Sequence, residues 1–261
     1  MFSSEKLRKF DTLVKIFQKL RSENGCPWDR KQTHQSLRGN LLEETYEVLG
    51  ALDEGSAVKL REELGDLLMQ IVFHAQIASG NGDFDIGDVI AGINEKLIHR
   101  HPHVFGKVKV KDADEVVVNW EELKHEERGK DESILSGVPK DMPALAQSQG
   151  MQRRAATAGF DWKNVDDIID KLVEEVKEVK EAKSKKRRSE EFGDVLFTLA
   201  NVARRMDIDL ETALRETNRK FYRRFAKMEE LARSRGLEFS KLPLSKQDKL
   251  WDEAKGMEGK S

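Results

Sequence analysis

The sequence predicts an all-α fold, with one helical bundle present twice in tandem. Three observations lead there. Apolar residues recur at intervals of three and four along nearly the whole chain, which is the period of a helix and not the alternation of a strand. Segments of the first half reappear in the same order in the second half. A polar stretch from 126 to 143, containing Gly129, Gly137, Pro139 and Pro143, separates the two. A chain of 261 residues has room for two domains of about 100–150 residues, each with its own core. The expected division is therefore 1–125, a linker at 126–143, and 144–261.

The elements follow in order. Leu7, Phe10, Leu13, Val14, Phe17 and Leu20 form one helical stripe. Leu37, Leu41, Leu42, Tyr46 and Leu49 form a second. Leu60, Leu64, Leu67, Leu68, Ile71, Val72 and Ala75 form a third, and Phe84, Ile86, Val89, Ile90, Ile93 and Leu97 a fourth. Helix starts are expected at Thr33, Ser56 and Asp85, whose side chains can accept from free N–H groups of a first turn. Gly80-Asn81-Gly82 reads as a turn, and Pro102 ends the fourth helix. In the second half, Ile168, Ile169, Leu172, Val173, Val176 and Val179 make one stripe; Phe192, Val195, Leu196, Leu199 and Val202 make another. A long polar helix is expected over 209–235, and Lys183 to Arg188 reads as a basic turn.

Charged residues reach 36 %, but 46 Lys+Arg nearly cancel 48 Asp+Glu, leaving a net charge of −2. That balance argues against a nucleic-acid partner, which selects a basic excess. The single cysteine, Cys26, excludes an internal disulfide and a multi-cysteine metal cage, and points to a reducing, cytoplasmic setting. The first residues contain no apolar secretory core, and no apolar run approaches ~18 residues, so no membrane association is expected.

The internal repeat locates the chemistry. Leu41-Leu42-Glu43-Glu44-Thr45-Tyr46-Glu47 matches Leu172-Val173-Glu174-Glu175-Val176-Lys177-Glu178, and Glu62-Glu63-Leu64-Gly65-Asp66 matches Glu190-Glu191-Phe192-Gly193-Asp194. Asn94 to Arg100 matches Asn218 to Arg224, and Trp120 matches Trp251. Ordered matches of this kind indicate two copies of one helical unit.

Glu44 and Glu47 are three apart on one helix face, as are Glu63 and Asp66 on the next helix. A short connection makes these helices antiparallel neighbours, so the four carboxylates converge. Glu175, Glu178, Glu191 and Asp194 repeat the set. Hard oxygen donors of this kind suit Mg²⁺ or Mn²⁺. A solvated acidic helix would place Lys or Arg four residues after each Glu. Here Glu43 precedes Glu47, Glu62 precedes Asp66, Glu174 precedes Glu178 and Glu190 precedes Asp194. Glu44, Glu63, Glu175 and Glu191 border the apolar stripes, and packed carboxylates without a nearby cation need a metal or protons.

Glu-Glu-x-x-Glu followed by Glu-x-x-Asp, in tandem, resembles the MazG family of all-α nucleoside triphosphate pyrophosphohydrolases. The segments Glu23-Asn24-Gly25-Cys26-Pro27-Trp28-Asp29, Arg100-His101-Pro102-His103-Val104-Phe105 and Gly159-Phe160-Asp161-Trp162 are similar to that family's pattern. The resemblance implies Mg²⁺-dependent hydrolysis of ribo- and deoxyribonucleoside triphosphates to monophosphate and pyrophosphate. It also implies a homodimer that completes the bundle.

Further repeated residues fit such a substrate. Lys220 and Arg224, like Lys96 and Arg100, sit four apart and can clamp phosphate oxygens. Asn218 adds a polar contact, and Trp251 and Trp120 offer a stacking surface, with Lys255 one turn beyond Trp251. Lys171 and Arg187 are additional phosphate candidates in the family-like second half, where the first half has Asn40 and no clear match for Arg187. The expected mechanism is metal-assisted displacement at phosphorus, with Glu174 or Glu43 orienting or deprotonating the attacking water. The extra cations favour the second half as the more active one.

The other signals are weaker. His99, His101 and His103 alternate around a helix end and converge poorly on a metal. One Glu-x-x-His, Glu122 to His125, falls short of the two that a di-iron bundle needs. No Gly-rich phosphate loop is present. The competing readings are a related all-α phosphohydrolase of narrower substrate range and a helical scaffold with acidic surface clusters.

Overall fold

The computed structural model describes residues 3–127 and 133–258. Among these residues are α-helices, three short 3-10 turns and no strand, so the chain is all-α as the periodicity predicts. The contacts divide into two compact units, Met1–Lys111 and Asp112–Ser261.

In the first unit a 3-10 turn (Lys6–Arg8) leads into α1 (Phe10–Leu20), α2 (Pro27–Lys31), α3 (Arg38–Asp53), α4 (Ala57–Asn81), α5 (Ile86–Arg100) and α6 (Pro102–Phe105). Ser56 caps α4 by accepting from Lys59 N at 3.3 Å. Asp85 caps α5 in a reciprocal box with Asp88, which satisfies orphan N–H groups of the first turn. Gly82, at φ +79°, closes α4 in the left-handed region that suits glycine. Pro102 ends α5 and also starts the short α6, where its missing N–H costs nothing. The start expected at Thr33 is instead a tight turn: Ser36 N donates to Thr33 Oγ1 at 3.1 Å, and α3 begins only at Arg38. The core gathers Phe17, Leu37, Val72, Phe73 and Ile77 between α1, α4 and the chain before α3.

The second unit contains α7 (Ala113–Glu126), a 3-10 turn (Ile134–Gly137), α8 (Ala144–Thr157), α9 (Val165–Glu181), α10 (Lys185–Arg205), α11 (Leu210–Ser234), a 3-10 turn (Phe239–Lys241) and α12 (Leu244–Glu258). The division between units precedes the expected 126–143 linker, because α7 packs on α8; positions 128–132 of that stretch lie outside the described residues. The basic run Lys185 to Arg188 is the first turn of α10 rather than a connecting turn, since Ser184 accepts from Arg187 N at 3.1 Å and caps the helix. α10 packs against α9 and α8, and α11 against α12. Buried Gln149 ties α8 to the α10–α11 connection, donating to Ile208 O at 2.8 Å and accepting from Leu210 N at 3.1 Å. Met228, Ala232, Leu250 and Ala254 form the α11–α12 core.

Part of each apolar stripe stays outside these cores. Leu42, Tyr46, Leu64, Leu68 and Ile71 are exposed on α3 and α4, and Ile169, Val173, Val176, Phe192 and Leu196 on α9 and α10.

Candidate active site

The α3–α4 hairpin carries the first acidic set. Its short connection, Glu54 to Ser56, and the cap at Ser56 fix the register of the two helices. One oxygen each from Glu44, Glu63 and Asp66 lies within 4.8 Å of the others. Glu47 acts electrostatically on Glu44 and Glu63, but stands outside the compact trio. Burial raises the Glu44 carboxyl above the usual range, and the neighbouring Asp66 and Glu47 push the same way against a bond from Gln70. Desolvation likewise raises Glu63, reinforced by Glu47, Glu62 and Asp66.

The α9–α10 hairpin repeats this arrangement with deeper burial. Oxygens of Glu175, Glu178 and Glu191 converge within 4.8 Å. Glu175 is 7 % exposed and Glu191 only 1 %. Glu191 Oε2 is buried with no hydrogen-bond partner. Desolvation pushes the Glu191 carboxyl up, as do Glu178 and Asp194, while Arg187 pulls it down. Asp194 is exposed beside the trio rather than within it.

The expectation that these packed carboxylates lack a nearby cation is corrected in the second unit. Lys171 Nζ lies 2.8 Å from Glu174 and 2.9 Å from Glu175. Arg187 reaches Glu191 at 2.5 Å and Glu178 at 3.9 Å. Both cations stand four residues before a glutamate instead of four after it, so a search in the forward direction alone passes over them. The bonds that Lys171 donates to Glu174 and Glu175 raise its amine above its ordinary value.

A second residue was overlooked in the first half. Ser184 and Ser56 are equivalent caps, which places Lys59 in register with Arg187. Lys59 pairs with Glu54 at 2.5 Å rather than with the acidic trio; that bond raises its amine, and Glu63 adds to the effect. The Ser-x-x-Lys and Ser-x-x-Arg spacing was the available signal.

The other nucleotide candidates sit apart from these hairpins. Asn218, Lys220 and Arg224 lie on α11, and Trp251 and Lys255 on α12. The Arg224 guanidinium stands 5.5 Å from the Trp251 ring centre, and Phe221 packs on the same ring at 5.4 Å. Trp251 also joins the α11–α12 core. Lys96 and Arg100 are on α5 in the first unit, whereas Trp120 is on α7 in the second. Glu174 and Glu43, the base candidates, are exposed.

Three carboxylates sharing a few ångströms, one with an orphaned buried oxygen, fit a hard divalent cation, which supplies the charge that partially paired acids lack. A tandem helical bundle with a carboxylate cluster on each central hairpin defines a class of all-α proteins with a duplicated acidic centre. A family model described as "MazG nucleotide pyrophosphohydrolase domain" matches residues 32–105 and 163–228. The chain is 48 % identical to the nucleoside triphosphate pyrophosphohydrolase/pyrophosphatase MazG of Thermotoga maritima, over 95 % of this chain and 96 % of the relative. It is 42 % identical to a nucleoside triphosphate pyrophosphohydrolase of Escherichia coli, over 97 % and 99 %. A crystal structure of a mazG-related protein from Thermotoga maritima is 31 % identical and covers 44 % of this chain and 97 % of its own, with a TM-score of 0.38. The chain belongs to the MazG nucleotide pyrophosphohydrolase family.

Proposed function

We propose that the protein uses Mg²⁺, with Mn²⁺ as a substitute, to cleave ribo- and deoxyribonucleoside triphosphates to nucleoside monophosphate and pyrophosphate. Family membership carries the coarse activity, nucleoside triphosphate pyrophosphohydrolysis. The observation that supports the metal is the convergence of Glu175, Glu178 and Glu191 around an unpartnered buried oxygen. Asp194 completes the set from the rim, and Glu44, Glu47, Glu63 and Asp66 form the corresponding set in the first unit.

When bound, the cation would neutralise triphosphate charge and acidify a water. Glu174, held by Lys171 at 2.8 Å, orients the attacking water and takes its proton; Glu43 is its counterpart. Lys171 and Arg187 balance the carboxylates without a cation, and turn to phosphate oxygens when one is present. Lys220 and Arg224 of α11, with Asn218, add phosphate contacts; Lys96 and Arg100 are their counterparts, and Trp251, Lys255 and Trp120 remain nucleotide contacts in this reading.

The exposed apolar residues of both hairpins support a homodimer, since a soluble chain rarely leaves such a face uncovered. The single cysteine and balanced charge support a cytoplasmic protein without a nucleic-acid partner, and no described helix is long and apolar enough to cross a membrane.

Incubation with ATP, GTP, dCTP and dTTP, with Mg²⁺ or with EDTA, tests the function. Monophosphate and pyrophosphate are expected with Mg²⁺ and neither with EDTA. Release of orthophosphate and nucleoside diphosphate, or turnover undiminished by EDTA, would overturn it; turnover of one nucleotide alone would select the narrower hydrolase.

A further inference from the structure

Two histidines of the first unit meet outside its acidic centre. His34 lies in the turn before α3, and His74 lies on α4. Their Nδ1 atoms are 2.8 Å apart. The ring planes differ by only 8°, and the ring centres are 5.1 Å apart. That separation equals the N···N distance plus the two ring radii, so the imidazoles meet edge to edge in one plane. Each Nδ1 points straight at the other, the geometry of a single N–H···N bond.

The pair has no good place for an extra proton. His74 Nε2 is buried with no hydrogen-bond partner. A neutral imidazole has one donor nitrogen and one acceptor nitrogen. In the neutral pair, His74 can carry its hydrogen at Nδ1, donate it to His34 Nδ1, and leave Nε2 bare. One added proton makes three hydrogens for four nitrogens. It either sets two Nδ1–H groups against each other or puts an N–H on His74 Nε2, where nothing accepts it. Every arrangement of the charged pair is therefore penalised.

Burial, and His34 after it, holds the His74 imidazole below its ordinary value. Lys15 and Lys19 of α1, Arg38 and Glu44 of α3, and Asp88 and Glu95 of α5 are on the helices packed against α4 and do not enter this balance. Arg21 stands over the adjacent Phe73 ring, but its donors go to Asp29 O and Gln32 O.

The place of the bond gives it a consequence. Among the described residues it is the one side-chain hydrogen bond from the 32–37 turn to α4. That turn ends at Leu37, which is buried in the core, and α3 starts with the next residue. Glu44 is on α3, whereas Glu63 and Asp66 are on α4 with His74. The second unit is built otherwise. The alignments that match Glu44 with Glu175 and Glu63 with Glu191 put Val165 in the place of His34 and Val202 in the place of His74. Valines do not titrate, so that unit has no proton-dependent tie at these positions.

We infer that His34 and His74 form an acid-released latch of the first unit: the neutral pair holds the start of α3 on α4, and uptake of a proton opens it and frees α3, with Glu44, from Glu63 and Asp66. The stability the latch supplies is complete above the ordinary histidine value of about 6.5. It is lost as pH falls towards the lowered value of His74.

Hydrogen exchange of the full chain in EDTA, corrected for the intrinsic pH dependence of exchange, tests the latch at about pH 7.5 and about pH 5.5. Wild type is compared with the His34→Val, His74→Val double variant, which copies the second unit. Wild-type α3 amides are expected to lose about tenfold in protection at the lower pH, the equivalent of one buried donor left without an acceptor. Amides of α9 should not change, and the double variant should show no loss in α3. Glu44 and Glu63 titrate in both proteins, so their contribution is common to the two. Wild-type protection of α3 that ignores pH overturns the latch, as does an equal loss in the double variant or in α9. Should the double variant not fold, nitrogen NMR of the wild-type imidazoles decides. The pair is expected to be neutral at about pH 7 and to share one Nδ1–H; a His74 that titrates at or above the ordinary histidine value overturns the inference.

Discussion

Glu191 and Glu44 occupy matching places in the repeat but differ in their surroundings. Glu191 is buried and held by Arg187 at 2.5 Å. Glu44 is half-buried, and Gln70 donates to it at 3.5 Å. The second centre therefore sets positive charge against its carboxylates, and the proposed phosphate contacts rest on that charge. Glu175→Ala is expected to reduce turnover by about 100-fold or more, on the scale of disrupting a metal site, while Glu44→Ala leaves it within about twofold. Equal losses in separate steady-state assays would refute the asymmetry.

The raised carboxyl of Glu191 also makes a pH prediction. Its folded pKa lies above its unfolded value, so the native state holds the proton more tightly. The stability this contributes is present below the ordinary carboxylate range and lost as pH rises through the folded pKa. In EDTA, the melting temperature of Glu191→Gln relative to wild type should climb as pH rises above the ordinary carboxylate range. Mg²⁺ should diminish the difference by stabilising the wild-type carboxylate. A difference that is flat or falls with pH would contradict the burial argument.

At the scale of elements, the hairpins depend on where their second helices begin. Ser56 and Ser184 each satisfy a first-turn N–H, and the acidic residues follow at fixed spacing. Replacing either with alanine should cost about 1 kcal/mol, read as a lower denaturant midpoint with an unchanged slope. The Ser56 start was legible in the sequence, because a serine before a helical stripe has few other local uses, whereas Ser184 was read as part of a turn. Thr33 misled for the same reason. Its hydroxyl does accept from a backbone N–H, but within a turn that closes before α3. The basic run at Lys185 misled differently. Positive charge suggests a solvated turn, yet Ser184 and the packing of α10 on α9 commit it to helix, and Arg187 uses that first turn to reach the trio.

For the whole molecule, the apolar side chains left outside both cores are the ground for the proposed homodimer. Light scattering should give twice the chain mass of 29.9 kDa, and Leu196→Glu should shift the protein towards monomer with loss of activity. A monomeric wild type with full activity would refute the homodimer. Heptad-like stripes marked every helix of the hairpins, but the stripe alone does not say whether its face meets the same chain or another. Leu64 and Val72 share one stripe of the third predicted helix, and only Val72 is buried.

By itself, the sequence determined the helices, the duplication and the eight carboxylates, because each depends on spacing along a helix of fixed period. Tertiary structure decided which oxygens converge, which cations oppose them, and that His34 meets His74. Those outcomes depend on distances between helices and on which side chains occupy the space between them, and no periodicity within one helix encodes either.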